Sequence, residues 1–315
     1  MKILITGING FVGSNFTEKW NERHILYGLD INQAPKNGVK AIYSWDQLAE
    51  ISGTDAIVHL AGKAHDTKNR SEAAEYFAIN TGLTQKIFDY FLQSDAKTFI
   101  FFSSVKAAAD SVPGEVLTEE VAPAPVGPYG ESKIRAEEYI KAKMQDPRAK
   151  DKKIYILRPC MIHGPGNKGN LNLLYNVVSK GIPWPLGAFD NRRSFCSIDT
   201  VSFVVEQLIV RDDISSDIYQ VCDDEPLSTN ELIRLISESV GKKSHIWKLP
   251  KGFMGAAASL GGALKLPLNK ERLRKLTENY VVSNEKIKRA LGIEKMPAST
   301  RDGIRKTLES FSKNN

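Results

Sequence analysis

The chain has 315 residues, 42% of them apolar and 25% charged, with a formal net charge of +6. That length can bury a large core, organised as one large domain with a smaller lobe, and the composition is that of a folded globular protein, not a disordered or fibrous one. No run reaches 18 apolar residues, so no membrane-spanning helix is predicted, and three cysteines without CxxC or metal-ligand spacing exclude a disulfide scaffold and predict no metal site.

The first element is an apolar run, 2–6, which reads as a buried strand. It stops at Gly7, Gly10 and Gly13, and a helix pattern over 14–23 follows. A strand, a glycine turn and a helix in this order build a diphosphate cradle. Gly7 permits a tight turn, Gly10 a close backbone approach, and Gly13 close helix–strand packing. The free N–H groups and the positive dipole end of the helix face the phosphates. The spacing is GxxGxxG, and its context points to a dinucleotide site.

A second strand, 25–29, ends at Asp30. A carboxylate about 20 residues past the glycines accepts the ribose hydroxyls of an adenosine and repels a 2′-phosphate, which favours NAD over NADP. No Arg lies in the next five residues, and the nearest cation is Lys36. Further strands are predicted at 56–60, 98–102, 154–157 and 218–221, and helices at 71–93, 132–144 and 200–210. Such alternation builds a parallel sheet covered on both faces, with ligands beyond the carboxyl ends of the strands. The expected class is a Rossmann-type doubly wound α/β fold. After Asp223 the regularity fades into helices at 229–240 and 284–291 and a Gly/Ala stretch at 252–264.

The chemistry sits in the second third. The strand at 98–102 runs into Ser103 and Ser104, and PYGESKIRAEEYI places Tyr129 and Lys133 four apart at the mouth of a helix. That spacing puts both side chains on one helix face. An ammonium beside a phenol lowers a pKa normally near ~10, so Tyr129 is expected to serve as general base near neutral pH. The cysteines, Cys160, Cys196 and Cys222, lie in apolar runs and read as reduced core residues of a cytoplasmic protein. The N-terminus is itself a strand, so no signal peptide is predicted.

Together these pieces resemble an extended short-chain dehydrogenase/reductase of the NAD-dependent epimerase/dehydratase family, which acts on nucleotide sugars. The matching segments are TGINGFVG, Asp30, HLAG at 59–62, Asn80, FFSS, YGESK, LRPCMIHGPG and RRSFCSIDTV, and they cover residues 1 to about 201. The resemblance implies a cofactor domain at 1–163 with a returning segment at 195–222. It implies a sugar-nucleotide lobe at 164–194 and 223–315. Gly7, Gly10, Phe11, Val12 and Gly13 would line the diphosphate. Leu60, Ala61 and Asn80 would flank the cofactor, with Pro159 against the nicotinamide amide. Ser104 would bond a sugar hydroxyl with Ser103 beside it, Tyr129 would move the proton, and Lys133 would hold the nicotinamide ribose. Arg193 falls where a UDP phosphate is bound, and Asn170 lies on the loop over the nucleotide. A nucleotide-sugar diphosphate then accounts for the scattered positive charge, and no nucleic-acid partner is implied. The resemblance also implies a homodimer through the helices at 71–93 and 132–144.

Departures from the family pattern narrow the activity. Val105 and Lys106 stand where 4,6-dehydratases of the family carry Asp-Glu, so dehydration is not expected. Ala107, Ala108 and Ala109 replace the VYG common in epimerases, and His163 replaces a usual Tyr. His59, His65 and His163 are read as structural. A PxRxGD segment is missing from the C-terminal part, where Arg272 or Arg274 are substitutes, although solvated helix charges are the simpler reading. These features resemble a branch of bacterial polysaccharide enzymes. The expectation is a UDP-N-acetylhexosamine 4-epimerase, with a 4-keto reductase of a UDP-linked 6-deoxy-N-acetylhexosamine and a non-catalytic NAD(P)-sensing regulator as alternatives. The small and apolar residues of GFMGAAASLGGALKLPL are read as a packed helix pair or a dimer surface, with a weak membrane-facing patch as the other reading.

Overall fold

The structure is a computed structural model that describes residues 1–64, 72–167, 169–263 and 269–313. Seven strands form one sheet: β1 (Lys2–Thr6), β2 (Ile25–Leu29), β3 (Ala41–Tyr43), β4 (Ala56–His59), β5 (Thr98–Phe102), β6 (Lys153–Pro159) and β9 (Ile218–Val221). Their order is β3-β2-β1-β4-β5-β6-β9, and every neighbouring pair is parallel. A second, two-stranded sheet joins β7 (Met161–His163) to β8 (Phe195–Ser197).

Alternate strand residues feed opposite faces, which is why the strands read as continuous apolar runs. Ile3 and Ile5 pack with Phe16 and Trp20 of α1 (Phe11–Trp20) and with Val204 and Leu208 of α7 (Ile198–Val210). Leu4 points the other way, into a cluster with Phe88 and Phe91 of α3 (Leu83–Gln93) and Ile140 of α5 (Gly127–Lys143). Each such side chain, fully buried, contributes about 1.5–3 kcal/mol relative to exposure, so the sheet is a stiff platform. The connections leave β1 and β4 in opposite directions. This opens a crevice at their carboxyl ends, where ligands of doubly wound sheets bind.

After β9 the chain is helical. α8 (Thr229–Ser239) and α12 (Thr300–Lys313) pack with α6 (Asn170–Val178) through Leu171, Tyr175, Ile236 and Leu308. α9 (Lys251–Ala263) packs on α10 (Lys270–Thr277), and α11 (Glu285–Leu291) packs on β9. The predicted α/β class is observed. The Gly/Ala stretch forms one helix of the pair, α9, and its residues 264–268 lie outside the described set, as does residue 71 of the predicted helix 71–93. α6, α10 and α12 were not predicted, and neither was β3, a three-residue edge strand half-buried throughout and too short to show alternation. α2 (Ala73–Tyr76) is followed by a π-helical turn over Phe77–Gly82. Such turns gather at functional sites, and this one carries Asn80. The three cysteines are buried and free, Cys160 and Cys222 just past β6 and β9 and Cys196 within β8, and burial pushes the Cys196 thiol up to about 11.

Candidate active site

Two loops meet at the crevice. β1 ends at Gly7, whose φ of +69° suits glycine and whose N–H donates to the Leu29 carbonyl at 2.8 Å. A Cβ on Gly7 would sit 3.0 Å from the backbone of Ala61, and one on Gly13 would sit 2.6 Å from the Gly7 carbonyl oxygen. The turn therefore packs backbone against backbone. Gly10 is extended, its helix has no side-chain cap, and Phe11, Val12 and Gly13 form the first turn of α1. Their amides are the unpaired donors of a helix start, which suits an anion. Phe11 also faces Gly164 in the loop after β7, and Asn15 donates to the Phe11 and Pro165 carbonyls.

Asp30 is buried at the end of β2. It accepts from the backbone N–H of Asn9 at 3.0 Å and of Asn32 at 3.2 Å, which aims it across the turn. Lys36 reaches the same turn, donating to the Ile8 carbonyl at 2.6 Å and to Ser14 Oγ at 2.9 Å. Burial lowers its pKa, and Asp30 opposes that shift. A cation at the glycine turn and a carboxylate beside it fit the two ends of an adenosine diphosphate. These residues fit a dinucleotide.

On the other side, Leu60 and Ala61 are held by Thr6, through its carbonyl and its hydroxyl. Asn80 is fully buried. Its Oδ1 accepts from the Lys63 N–H at 2.7 Å, and its Nδ2 donates to the Lys63 carbonyl and to Ser132 Oγ. It clamps the 60–63 loop to α5. A Cβ on Gly62 would lie 2.9 Å from Asn80 Oδ1 and 3.1 Å from Lys133 Nζ. That glycine lets the loop cross the lysine, a reason the HLAG pattern alone did not disclose.

Tyr129 and Lys133 both lie within α5, which starts five residues earlier than predicted. The Tyr129 hydroxyl lies close enough to Ser104 for that side chain to oppose the rise that burial gives the phenol pKa, and Ser104 Oγ accepts from the Lys106 N–H at the start of α4 (Val105–Ala108). The edge of the Tyr76 ring meets the Tyr129 ring at 6.4 Å. The expected low phenol pKa is not found in this structure. Burial pushes Tyr129 up, Ser104 only partly offsets this, and the Lys133 ammonium donates to the Phe102 carbonyl at 2.8 Å. Lys133 itself is lowered to about 8 by burial, which Glu137 one turn on opposes.

Ser103 is turned away from the crevice. Its hydroxyl donates to Glu137 Oε1 at 2.5 Å, and Arg158 grips the same carboxylate through Nε (2.9 Å) and Nη2 (2.6 Å). All three are buried, and this knot backs the Lys133 turn of α5. Glu137 and Arg158 were missed from sequence, although a charged residue in a buried strand was the available signal. Pro159 closes β6, buried beside Val221.

At the rim, Lys106 donates to the carbonyl and carboxylate of Asp110 and lies 4.5 Å from the Tyr280 ring. Burial alone would raise the Asp110 carboxyl, but Lys106 and Arg274 hold it low. Arg274 donates to Asp110 at 3.1 Å and pairs with Glu278. Arg193, half-buried, donates to the Lys275 carbonyl; burial lowers the Lys106 pKa, Asp110 opposes this, and the nearby Arg193 adds to the lowering. The fold thus brings Arg193, Arg274 and Lys106 together, and the Arg272 side chain lies outside the description. Asn170 stands exposed at the first position of α6, without a side-chain hydrogen bond among the described residues.

The two described histidines of the sequence reading are enclosed. His59 sits between the Thr6 and Thr84 hydroxyls at 2.7 and 2.9 Å. His163 bonds Thr307 of α12 at 2.9 Å, with its other nitrogen 3.5 Å from Asp223. His65 lies outside the described residues. No helix among the described residues is long and apolar enough to cross a membrane.

The chain is similar to known proteins over most of its length. A UDP-glucose 4-epimerase from Vibrio cholerae is 30% identical over 98% of this chain and 95% of its own. An N-acetyl-alpha-D-glucosaminyl-diphospho-ditrans,octacis-undecaprenol 4-epimerase from Escherichia coli O157:H7 is 25% identical over 79% of this chain and 75% of its own. Among solved structures, a UDP-glucuronic acid 4-epimerase from Bacillus cereus in complex with NAD superposes with a TM-score of 0.74. It is 18% identical and covers 99% of each chain. The model of the NAD dependent epimerase/dehydratase family matches residues 3–222, and the chain belongs to that family.

Proposed function

We propose that the protein transfers hydride reversibly at C4 of a nucleotide sugar, as a UDP-N-acetylhexosamine 4-epimerase of bacterial polysaccharide assembly. The observation that carries this reading is that Tyr129 lies beside Ser104, with Lys133 one turn on in α5, next to an uncapped glycine turn. Bound NAD supplies the hydride acceptor and donor. Tyr129 takes the proton of the sugar 4-hydroxyl and returns it, and Ser104 orients that oxygen. Lys133, one turn on in α5, would hold the nicotinamide ribose and stabilise the phenolate by its charge. Gly7, Gly10, Phe11, Val12 and Gly13 hold the cofactor diphosphate and Asp30 the adenosine ribose. Leu60, Ala61, Asn80 and Pro159 wall the cofactor, and Arg193, Asn170 and Arg274 meet the sugar nucleotide. Residues 1–163 with 195–222 form the cofactor domain, and 164–194 with 223–315 form the sugar-nucleotide lobe. A cytoplasmic location and a homodimer complete the reading.

Purified protein given UDP-GlcNAc without added NADH should form UDP-GalNAc. Tyr129→Phe should lower that rate by about 10²–10⁴-fold with NAD binding retained. The second reading, a 4-keto reductase, draws on the raised Tyr129 pKa, because a protonated phenol is the form that reduction of a ketone uses. Turnover of a 4-keto sugar alone, with one NADH consumed per product, would establish the reductase and overturn the epimerase. Tyr129→Phe without effect on the biological activity would point to the sensing regulator.

A further inference from the structure

The net charge has one address. Residues 242–270 contain six lysines and no Asp or Glu. The chain as a whole carries +6, so the remainder balances. Lys242, Lys243, Lys248, Lys251 and Lys270 are exposed, and none forms an ion pair among the described residues. The same stretch presents large apolar side chains to solvent: Trp247 is 55% exposed, Phe253 61% and Leu260 62%. On α9, Phe253, Ala256 and Leu260 follow helical spacing along one outward face, while Met254 and Ala258 face inward onto Leu273 of α10 and Leu186. Exposed lysines before and after α9 in the chain, with the exposed Trp247 and the Phe253–Leu260 stripe, are a composition that suits the boundary between anionic headgroups and acyl chains.

We infer that this face docks on an anionic lipid surface. The charge argues against a second copy, because a two-fold contact would set the lysines of one chain against those of the other. Nucleic acid would use the lysines and leave Phe253 and Leu260 without a partner. The face also connects with the active-site rim. α10, on which α9 rests, carries Arg274, bonded to Asp110, and the Lys275 carbonyl, which takes Arg193.

The test is flotation of the full chain with phosphatidylcholine vesicles, plain or with about one-third phosphatidylglycerol. At about 0.05 M salt the anionic vesicles should take up at least about 10-fold more protein, and about 0.5 M salt should reverse this. The double variant Phe253→Glu, Leu260→Glu should lose binding while retaining the wild-type thermal transition and NAD binding. Equal or absent uptake by both vesicles, or undiminished uptake of the variant, overturns the inference. So does a solution dimer that the variant converts to monomer while vesicles take up nothing, since the face would then join copies of this chain. Flotation needs no turnover, so protein that floats but converts no sugar sinks the enzymatic reading alone.

Discussion

Arg158→Met should destabilise the fold more than any surface change, and the knot behind α5 gives the magnitude. Arg158 is 1% exposed and Glu137 fully buried, with two guanidinium bonds and the Ser103 hydroxyl on one carboxylate. Removing the guanidinium strands a carboxylate in an apolar interior, which costs about 3–5 kcal/mol. In a chain of this size that is a fall in Tm of about 6–12 °C. Glu137→Leu should cost a similar amount by stranding Arg158. The double variant Glu137→Leu, Arg158→Met should return to within about 1 kcal/mol of wild type, because a buried ion pair and a packed apolar pair are close in free energy. Denaturant unfolding of the four proteins closes the cycle. A single-variant cost below about 1 kcal/mol, or a double variant as unstable as the sum of the singles, would refute the account of a mutually satisfied buried pair.

Other outcomes follow from the same geometry. The Lys133 pKa is about 8 in the fold against 10.5 unfolded, so the unfolded chain binds more protons between these values. Stability should therefore rise from pH 8 to 10.5, by up to about 3 kcal/mol, and Lys133→Met should flatten that rise in denaturant titrations. His59 is lowered to about 3 by burial and by Lys133, so its contribution is present above pH 6.5 and lost as pH falls towards 3. His59→Gln should blunt the acid limb of a Tm-against-pH curve. Gly13→Ala places a methyl 2.6 Å from the Gly7 carbonyl and 2.7 Å from Ile8 Cα, contacts that no rotamer relieves. It should cost about 1–3 kcal/mol and weaken NAD binding by at least about 10-fold, read by calorimetry.

The elements nearest the cofactor crevice were the most legible. β1, the glycine turn, β2 with Asp30, and the Ser-bearing β5 are local patterns in which a buried strand, a turn and a polar end follow within a few residues. Their physics is written in consecutive positions. β3 and α6 were illegible because a short edge strand or a short helix carries too few residues for a period to show. α8 and α11 matched the predicted helices at 229–240 and 284–291, whereas α12 went unpredicted for another reason. α12 is amphipathic towards α6 and α8, elements far from it in sequence.

The amino-acid order alone determined a doubly wound parallel sheet, the glycine turn, the acidic strand end and the Tyr129–Lys133 helix, since each depends on neighbours within one element. Only the tertiary structure decided what those groups touch. It turned Ser103 from the crevice to Glu137, set the Lys133 ammonium against the Phe102 carbonyl, brought Lys36 to the glycine turn, and gathered Arg193, Arg274 and Lys106 at one rim. The physical reason is that pKa values and hydrogen-bond partners depend on burial and on charges brought together across the fold, which no local pattern encodes.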